Sequence, residues 1–381
     1  MPSPSELTPI TAVTAPDPYP YYAGLVADRP FGWDAELELW VAASAAAVTE
    51  VLGATALRVR PPAEPVPAGL VGTAAGEVFG RLVRMTDGPR PQRLKQVLVT
   101  ALGQADPARV AAVAAERAAQ TLKRVDGSTW RELMFAVPAQ VVATLGGLAE
   151  RDAVEASRLI ADFVACIPAS ATPAQQATAA NAASALSDLL SPLLTEGARG
   201  LFGDLFRTAG ADGWTDRPAV LANAIGLLSQ TYDATAGLIG NTLVALAQGS
   251  AKVPDDPAGW PDLVREVARF DAPVQNTRRF AATSTSICGF QVAAGEPLLV
   301  VLAAANRDPA ANDEPAVFRV DRPDRRLFTF GAASHRCPGE TVAVAIAATV
   351  VEQACGHALV PASLPDPVAY LPLANARIPA L

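Results

Sequence analysis

The sequence predicts a mostly α-helical, single-domain fold with a small β region, spanning residues 1–381. Three observations carry that expectation. Between residues 89 and 248 apolar positions recur at helical spacing in one segment after another, each bounded by Pro or Gly. After residue 258 the pattern shortens into β-rich pieces at 274–281, 286–293 and 297–303. No linker separates these regions, and no repeat period is visible.

In chain order, residues 1–16 are rich in Pro, Ser and Thr and read as a loose N-terminal arm. Residues 19–29 suit a short helix, and Phe31 to Val41 alternates like a hairpin. An Ala/Val/Leu helix follows at 43–53. The stretch 61–69 carries Pro61, Pro62, Pro65 and Pro67, which lack amide donors and fix φ, so it cannot be regular. Helices are expected at 89–104, 107–123, 130–146, 150–165, 173–194, 198–208, 215–248 and 259–270. An irregular Pro- and Arg-rich run at 305–327 precedes a last helix at 339–356 and an extended tail.

Composition removes several function classes. Half of the 381 residues are hydrophobic, enough for a buried core, which excludes a disordered chain or a small disulfide scaffold. The net charge is −8 and no run of basic residues occurs, so nucleic acid is a poor partner. The start lacks a basic and apolar leader, and no window approaches the roughly 20 apolar residues of a membrane span. The four Cys lack CxxC spacing and there are only 2 His, so zinc is not expected. The expectation is a reducing, cytoplasmic setting without a membrane, and a monomer.

The sharpest motif is the loop FTFGAASHRCPGE at 328–340, with Phe330 seven residues before Cys337, His335 two before and Gly339 two after. An Ala-rich helix follows at once, and a helix N-terminus favours a thiolate. Pro338 removes one amide donor to the sulfur. The alternative is a buried structural Cys at a helix start. Glu266 and Arg269 stand at i and i+3, on one helix face, where they form either a solvated pair or, with Arg322, a buried cluster that holds the loop.

Taken together, these motifs and their order resemble the cytochrome P450 family, specifically its soluble bacterial members, over essentially the whole chain. The resemblance implies haem b with Cys337 as axial ligand of the iron. A thiolate there pushes electron density toward the O–O bond, which oxygen activation requires. His335 and Arg279 would bind haem propionates, and Phe330 and Gly339 belong to the haem loop. The family often offers a His and, four residues on, an Arg under the propionates. Here those places hold Pro91 and Lys95, with Arg93 nearby. The family's Gly four residues before the Cys is Ala333, a position that needs unusual dihedrals.

The long helix departs further. Family members usually carry A-G-x-(D/E)-T-T, and this chain carries Gln230, Thr231, Tyr232, Asp233, Ala234 and Thr235. Asp233 is retained as the candidate proton-delivering acid, and Ala234 replaces the alcohol. Thr235 points about 100° away around the helix. Gln230, one turn before Ala234, is a candidate to face haem or substrate. The plainer readings are a satisfied interior acid and a packing residue. The segment between Asn241 and Glu266 leaves little room for a helix that the family places there.

Pocket walls are expected from 62–82, 165–176, 226–235, 273–277 and 369–374, with Val274, Gln275 and Asn276 facing a small-molecule substrate. The activity implied is dioxygen-dependent hydroxylation or epoxidation, substrate-assisted because Ala234 replaces Thr, in bacterial specialised metabolism. The alternatives are oxidative radical coupling of an aromatic or cyclic-peptide substrate, and a non-catalytic haem sensor. No redox module is fused, so a ferredoxin-type donor with its reductase would supply electrons. A basic patch of Arg90, Arg93, Lys95, Arg325, Arg326 and Arg336 would steer it.

Overall fold

The computed structural model describes residues 7–168, 170–357 and 367–381; residues 1–6 of the expected arm and residue 169 of an expected pocket wall lie outside them. Helix α1 (Tyr19–Asp28) leads into the hairpin β1 (Phe31–Asp34) and β2 (Leu39–Ala42). Helix α2 (Ala45–Gly53) starts where the Ser44 hydroxyl accepts the Ala47 N–H, followed by β3 (Leu57–Arg58). Then come α3 (Ala74–Phe79), α4 (Pro89–Gly103), α5 (Pro107–Leu122) and α6 (Thr129–Arg131). A π turn at Glu132–Ala136 joins α6 to α7 (Val137–Gly146), which Gly147 closes with a φ of 109°.

Helices α8 (Glu150–Val164), α9 (Pro173–Leu190), α10 (Leu201–Ala211) and α11 (Arg217–Ala247) continue the helical run. Proline at the first turn of α4, α5 and α9 costs no hydrogen bond there, and Thr172 with Gln175 caps α9 reciprocally. Helix α12 (Trp260–Phe270) follows, then β4 (Thr277–Ala281), β5 (Thr285–Ile287), β6 (Phe290–Val292) and β7 (Pro297–Val300). The last helices are α13 (Leu302–Asn306) and α14 (Glu340–Gly356). The fold class is the one the sequence predicts. Helices α3 and α13, of six and five residues, are too short for a periodicity argument and were not expected. Only a 3-10 turn at Pro257–Gly259 stands between α11 and α12, so the helix expected to be shortened or lost is absent.

The chain forms two compact units, interleaved in sequence, which is why no linker shows. The first holds the residues up to Pro62, Gly237–Cys337 and those from Ala354 onward; the second holds Ala63–Ala236 and Pro338–Gln353.

In the first unit a five-stranded sheet has the order β1-β2-β7-β4-β3, antiparallel except for β2 beside β7. Both faces of its centre are covered. Trp40, Ala42, Leu298 and Val300 face a core with α2 and Phe328, while Leu39, Val41, Leu299 and Val301 face Tyr22 and Leu25 of α1. The period of two in the sequence therefore separates two cores, and Phe328 ties the start of the cysteine loop to the first.

The N-terminal arm is not loose over residues 11–16. Ala12 and Val13 are fully buried. The Arg377 guanidinium donates to the carbonyls of Val13 (3.1 Å), Ala15 (2.6 Å) and Pro16 (2.9 Å), and to Asp271 (2.8 Å). Composition misled here, because the anchor is an Arg some 360 residues away in sequence.

Candidate active site

In the first unit the cysteine loop is held from behind. Glu266 and Arg269 are both fully buried, paired at 2.6 Å, and Arg269 also donates to the carbonyls of Pro315 (2.8 Å) and Val317 (3.0 Å). Arg325 reaches the same carboxylate at 3.0 Å, closer than the predicted partner Arg322 at 3.7 Å. Arg322 instead serves the carbonyls of Asp313, Glu314 and Val317. Burial raises the Glu266 pKa, but bonds from Arg269, the Arg319 amide and Arg325 outweigh it and hold the carboxyl below its usual value. The irregular run 305–327 is therefore ordered by one carboxylate.

Asparagines carry that order to the loop. Asn312 donates to the Asn306 and Arg326 carbonyls at 3.0 Å each. Asn306 accepts the Phe328 amide (2.7 Å) and donates to the Thr329 hydroxyl (2.7 Å), which in turn donates to the Ala268 carbonyl (2.6 Å). Beyond them the Gly331 amide donates to Phe328 and the Cys337 amide donates to the Phe330 carbonyl, both at 2.7 Å. Ala333 takes a φ of 51°, the left-handed conformation expected where the family has Gly. Cys337 is half-buried, three residues before α14 begins.

Other predicted residues of this unit are buried or half-buried. Arg279, 6 % exposed on β4, donates to the Arg278 carbonyl (2.8 Å). Val274 bridges to Ala376 of the tail, and the Asn276 amide donates to the Ala374 carbonyl (2.9 Å). Gln275 is fully buried, and its Nε2 donates to the Ala272 carbonyl at 2.6 Å. The tail is thus bonded directly to residues 274–276. His335 lies half-buried in a 3-10 turn, Ala333–His335.

In the second unit, α11 is buried almost all round. Its half-exposed positions in the central turns are Leu227, Gln230, Thr231, Asp233 and Ala234. Positions 227, 230, 231 and 234 fall on one stripe at helical spacing. Gln230 Nε2 donates to the Gly226 carbonyl (3.0 Å), and the Thr231 hydroxyl donates to the Leu227 carbonyl (2.7 Å). Thr235 is 1 % exposed and off the stripe, so it offers no hydroxyl to this face. Burial raises the Asp233 carboxyl pKa, opposed by the charge of Arg84.

That shift fixes a pH dependence. A raised folded-state value makes ionisation a growing cost as pH climbs from the ordinary carboxylate range, about 3.9, through the folded value. Asp233→Asn removes the cost. Its thermal midpoint relative to the parent protein is expected to rise with pH above the ordinary carboxylate range. A pH-independent difference in calorimetry would contradict this account.

The α4 residues are placed differently from one another. Lys95 is half-buried, whereas Arg93 is exposed and bonded to Asp212 at 2.7 Å, and Arg90 pairs with Asp216 at 2.6 Å. With Arg325 held by Glu266, three members of the predicted basic patch already have carboxylate partners, which weakens its field.

The residues fit a haem. A cavity of about 50 Å³ in the second unit is lined by Leu227, Val342, Ala343, Ile346 and Gly339, an apolar wall suited to a macrocycle edge. Its Gly339 stands two residues after Cys337 in the sequence, a cysteine sulfur is a soft ligand for iron, and Arg279, His335 and Lys95 carry N–H donors of the kind propionates require.

A family model described as Cytochrome P450 matches residues 261–352. A protein named as a P450 133B2 in Xylella fastidiosa is 29% identical over 252 residues, covering 64% of this chain and 60% of that protein. The 6-deoxyerythronolide B hydroxylase of Saccharopolyspora erythraea is 31% identical over 211 residues, covering 54% of this chain and 52% of the hydroxylase. The chain thus spans less than two thirds of the length of the curated relatives it matches. The crystal structure of P450BioI, in complex with an acyl carrier protein ligated to hexadec-9Z-enoic acid, superposes with a TM-score of 0.81 at 22% identity. That match covers 95% of this chain and 96% of P450BioI, and it concerns the fold. Fold and family-model match agree: the chain has the cytochrome P450 fold and resembles that family over residues 261–352, and the family's cofactor is a haem with a cysteine thiolate on its iron.

Proposed function

We propose that this protein is a haem-thiolate oxygenase that uses dioxygen to hydroxylate or epoxidise a small organic molecule of bacterial specialised metabolism. The observation that carries the reading is the Cys337 loop, held through Thr329, Asn306 and the buried Glu266–Arg269 pair. Two curated relatives named as a hydroxylase and a 23-monooxygenase, each 31% identical over part of the chain, support the reaction type.

When bound, the thiolate-ligated haem supplies the oxidising chemistry. Cys337 would hold the iron, and Arg279, His335 and Lys95 would bind the propionates, with Phe330 and Gly339 shaping the loop around the sulfur. Asp233, whose burial raises its pKa, is the candidate to pass a proton. Val274, Gln275 and Asn276 would contact substrate. Electrons would come from a ferredoxin-type partner in the cytoplasm, steered by the basic face.

Ala234 favours a second reading, oxidative radical coupling, in which an alcohol at this position matters less. Ala234→Thr separates the two. Under the oxygenase reading it changes product yield per oxygen consumed; unchanged yield and oxygen use would count against substrate-assisted oxygenation. The function as a whole is tested by the carbon monoxide difference spectrum of the reduced protein. A strongly red-shifted Soret band is expected, and its absence in a haem-loaded protein would leave a sensor.

A further inference from the structure

We propose that Gln230 and Asp233 of α11 bind a protonated amine of the substrate, which makes the substrate an alkylammonium rather than a neutral or anionic molecule. This rests on the oxygenase reading and deepens it by naming the substrate class. Positions 226, 230 and 233 fall within about 60° of one another around the helix. Leu82 covers the first of them, where a Cβ on Gly226 would lie 2.8 Å from the leucine Cδ2. The segment carrying Leu82 is fixed there, since the buried Asn223 accepts the Val83 amide at 3.0 Å and donates to the Arg81 carbonyl at 2.8 Å. Farther along the same face, Gln230 and Asp233 are half-exposed on a helix otherwise buried almost all round.

Both side chains present oxygen acceptors that receive nothing from the protein. Gln230 gives one N–H to the Gly226 carbonyl at 3.0 Å, and its amide oxygen accepts no hydrogen bond from any described residue. The Asp233 carboxylate has neither a hydrogen bond nor an ion pair among the described residues. Glu266 is the opposite case, with N–H groups of Arg269, Arg319 and Arg325 on its oxygens. The exposed Arg84 is the cation whose field reaches Asp233, and the adjacent Tyr232 is a neutral phenol whose pKa burial raises. A half-buried carboxylate without donors is costly, and a ligand that brings both positive charge and N–H groups offsets that cost best. A primary ammonium has three donors, enough for a carboxylate and an amide oxygen set at i and i+3 on one helix. A hydroxyl brings one donor and no charge, and an anion is repelled.

Octylammonium, octanol and octanoate share one tail and differ only in the head group. They are titrated by calorimetry into the reduced carbon monoxide complex of the haem-loaded protein, in which the iron is capped and takes no amine. Octylammonium is expected to bind about tenfold more tightly than octanol, the low end for a hydrogen bond to a charged group, and octanoate least of the three. In Asp233→Asn the ratio of octylammonium to octanol affinity should fall toward one while octanol binds as before. Gln230→Leu should lower the ratio by a smaller factor. In the parent protein the ratio should grow as pH climbs from the ordinary carboxylate range through the raised Asp233 value and level off above it, because only the ionised carboxylate attracts the cation. A purely structural Asp233 would not move that profile. Equal affinities in the parent, a ratio flat with pH, or a ratio unchanged in Asp233→Asn overturns the proposal while the haem-thiolate reading stands. Should Asp233→Asn fail to fold, the pH profile of the parent decides alone. A parent protein without the red-shifted Soret band would overturn both.

Discussion

Cys337→Ser is expected to abolish the red-shifted Soret band of the reduced carbon monoxide complex, and all oxidation with it, while leaving the thermal midpoint of the polypeptide nearly unchanged. A serine hydroxyl does not ionise near neutral pH and is a hard ligand, so it cannot supply the charge or softness of a thiolate. Cys166 and Cys288 are poor substitutes. Cys166 is buried and its thiol pKa is raised by that burial. Cys288 is pushed up to about 11 by burial and by its neighbour Glu50, which keeps it a thiol. Retention of the band in Cys337→Ser would move the ligand elsewhere and remove the basis of the proposed function.

Glu266→Gln should be the most destabilising conservative change, by about 3–5 kcal/mol, because it leaves buried guanidinium groups without their counter-charge. Arg269 is fully buried and Arg325 lies 3.0 Å from the same carboxylate. Arg265→Ala breaks the i,i+3 pair with Asp262 on the exposed side of the same helix, and it should cost under about 1 kcal/mol. Chemical denaturation of both variants makes the comparison. The sign with pH follows from the lowered Glu266 pKa: its contribution is present above the ordinary carboxylate value and disappears as pH falls below it. Equal costs for the two variants would mean that the buried cluster does not order the 305–327 run.

Much of the fold was legible because long amphipathic segments declare themselves. The bounds of α4, α5, α11 and α12 fall within two residues of those expected, since Pro at N1 and local turns mark them. The π turn inside the 130–146 segment was not legible, because the apolar pattern runs through it unbroken. Of the candidate site, Cys337, Glu266, Arg269 and Asp233 stood out by motif and spacing. Asn306, Asn312, Thr329 and Arg325 did not. An Asn at the end of a short Ala-rich helix, or one Arg of an adjacent pair, carries no periodic signal; only the distances select it.

What the sequence determined by itself was the class of fold, the order of its helices, the small sheet and the presence of a cysteine loop before an Ala-rich helix. Each of these follows from local spacing and from residues with restricted backbones. The tertiary structure alone decided that Arg325 rather than Arg322 lies closest to Glu266, and that Arg377 pins residues 13–16. It also decided that Arg90 and Arg93 answer to Asp216 and Asp212. Charge pairing depends on which carboxylate comes within a few ångströms after folding, and the strength of each pair depends on how much water is removed around it. Neither quantity is written in the linear order of residues.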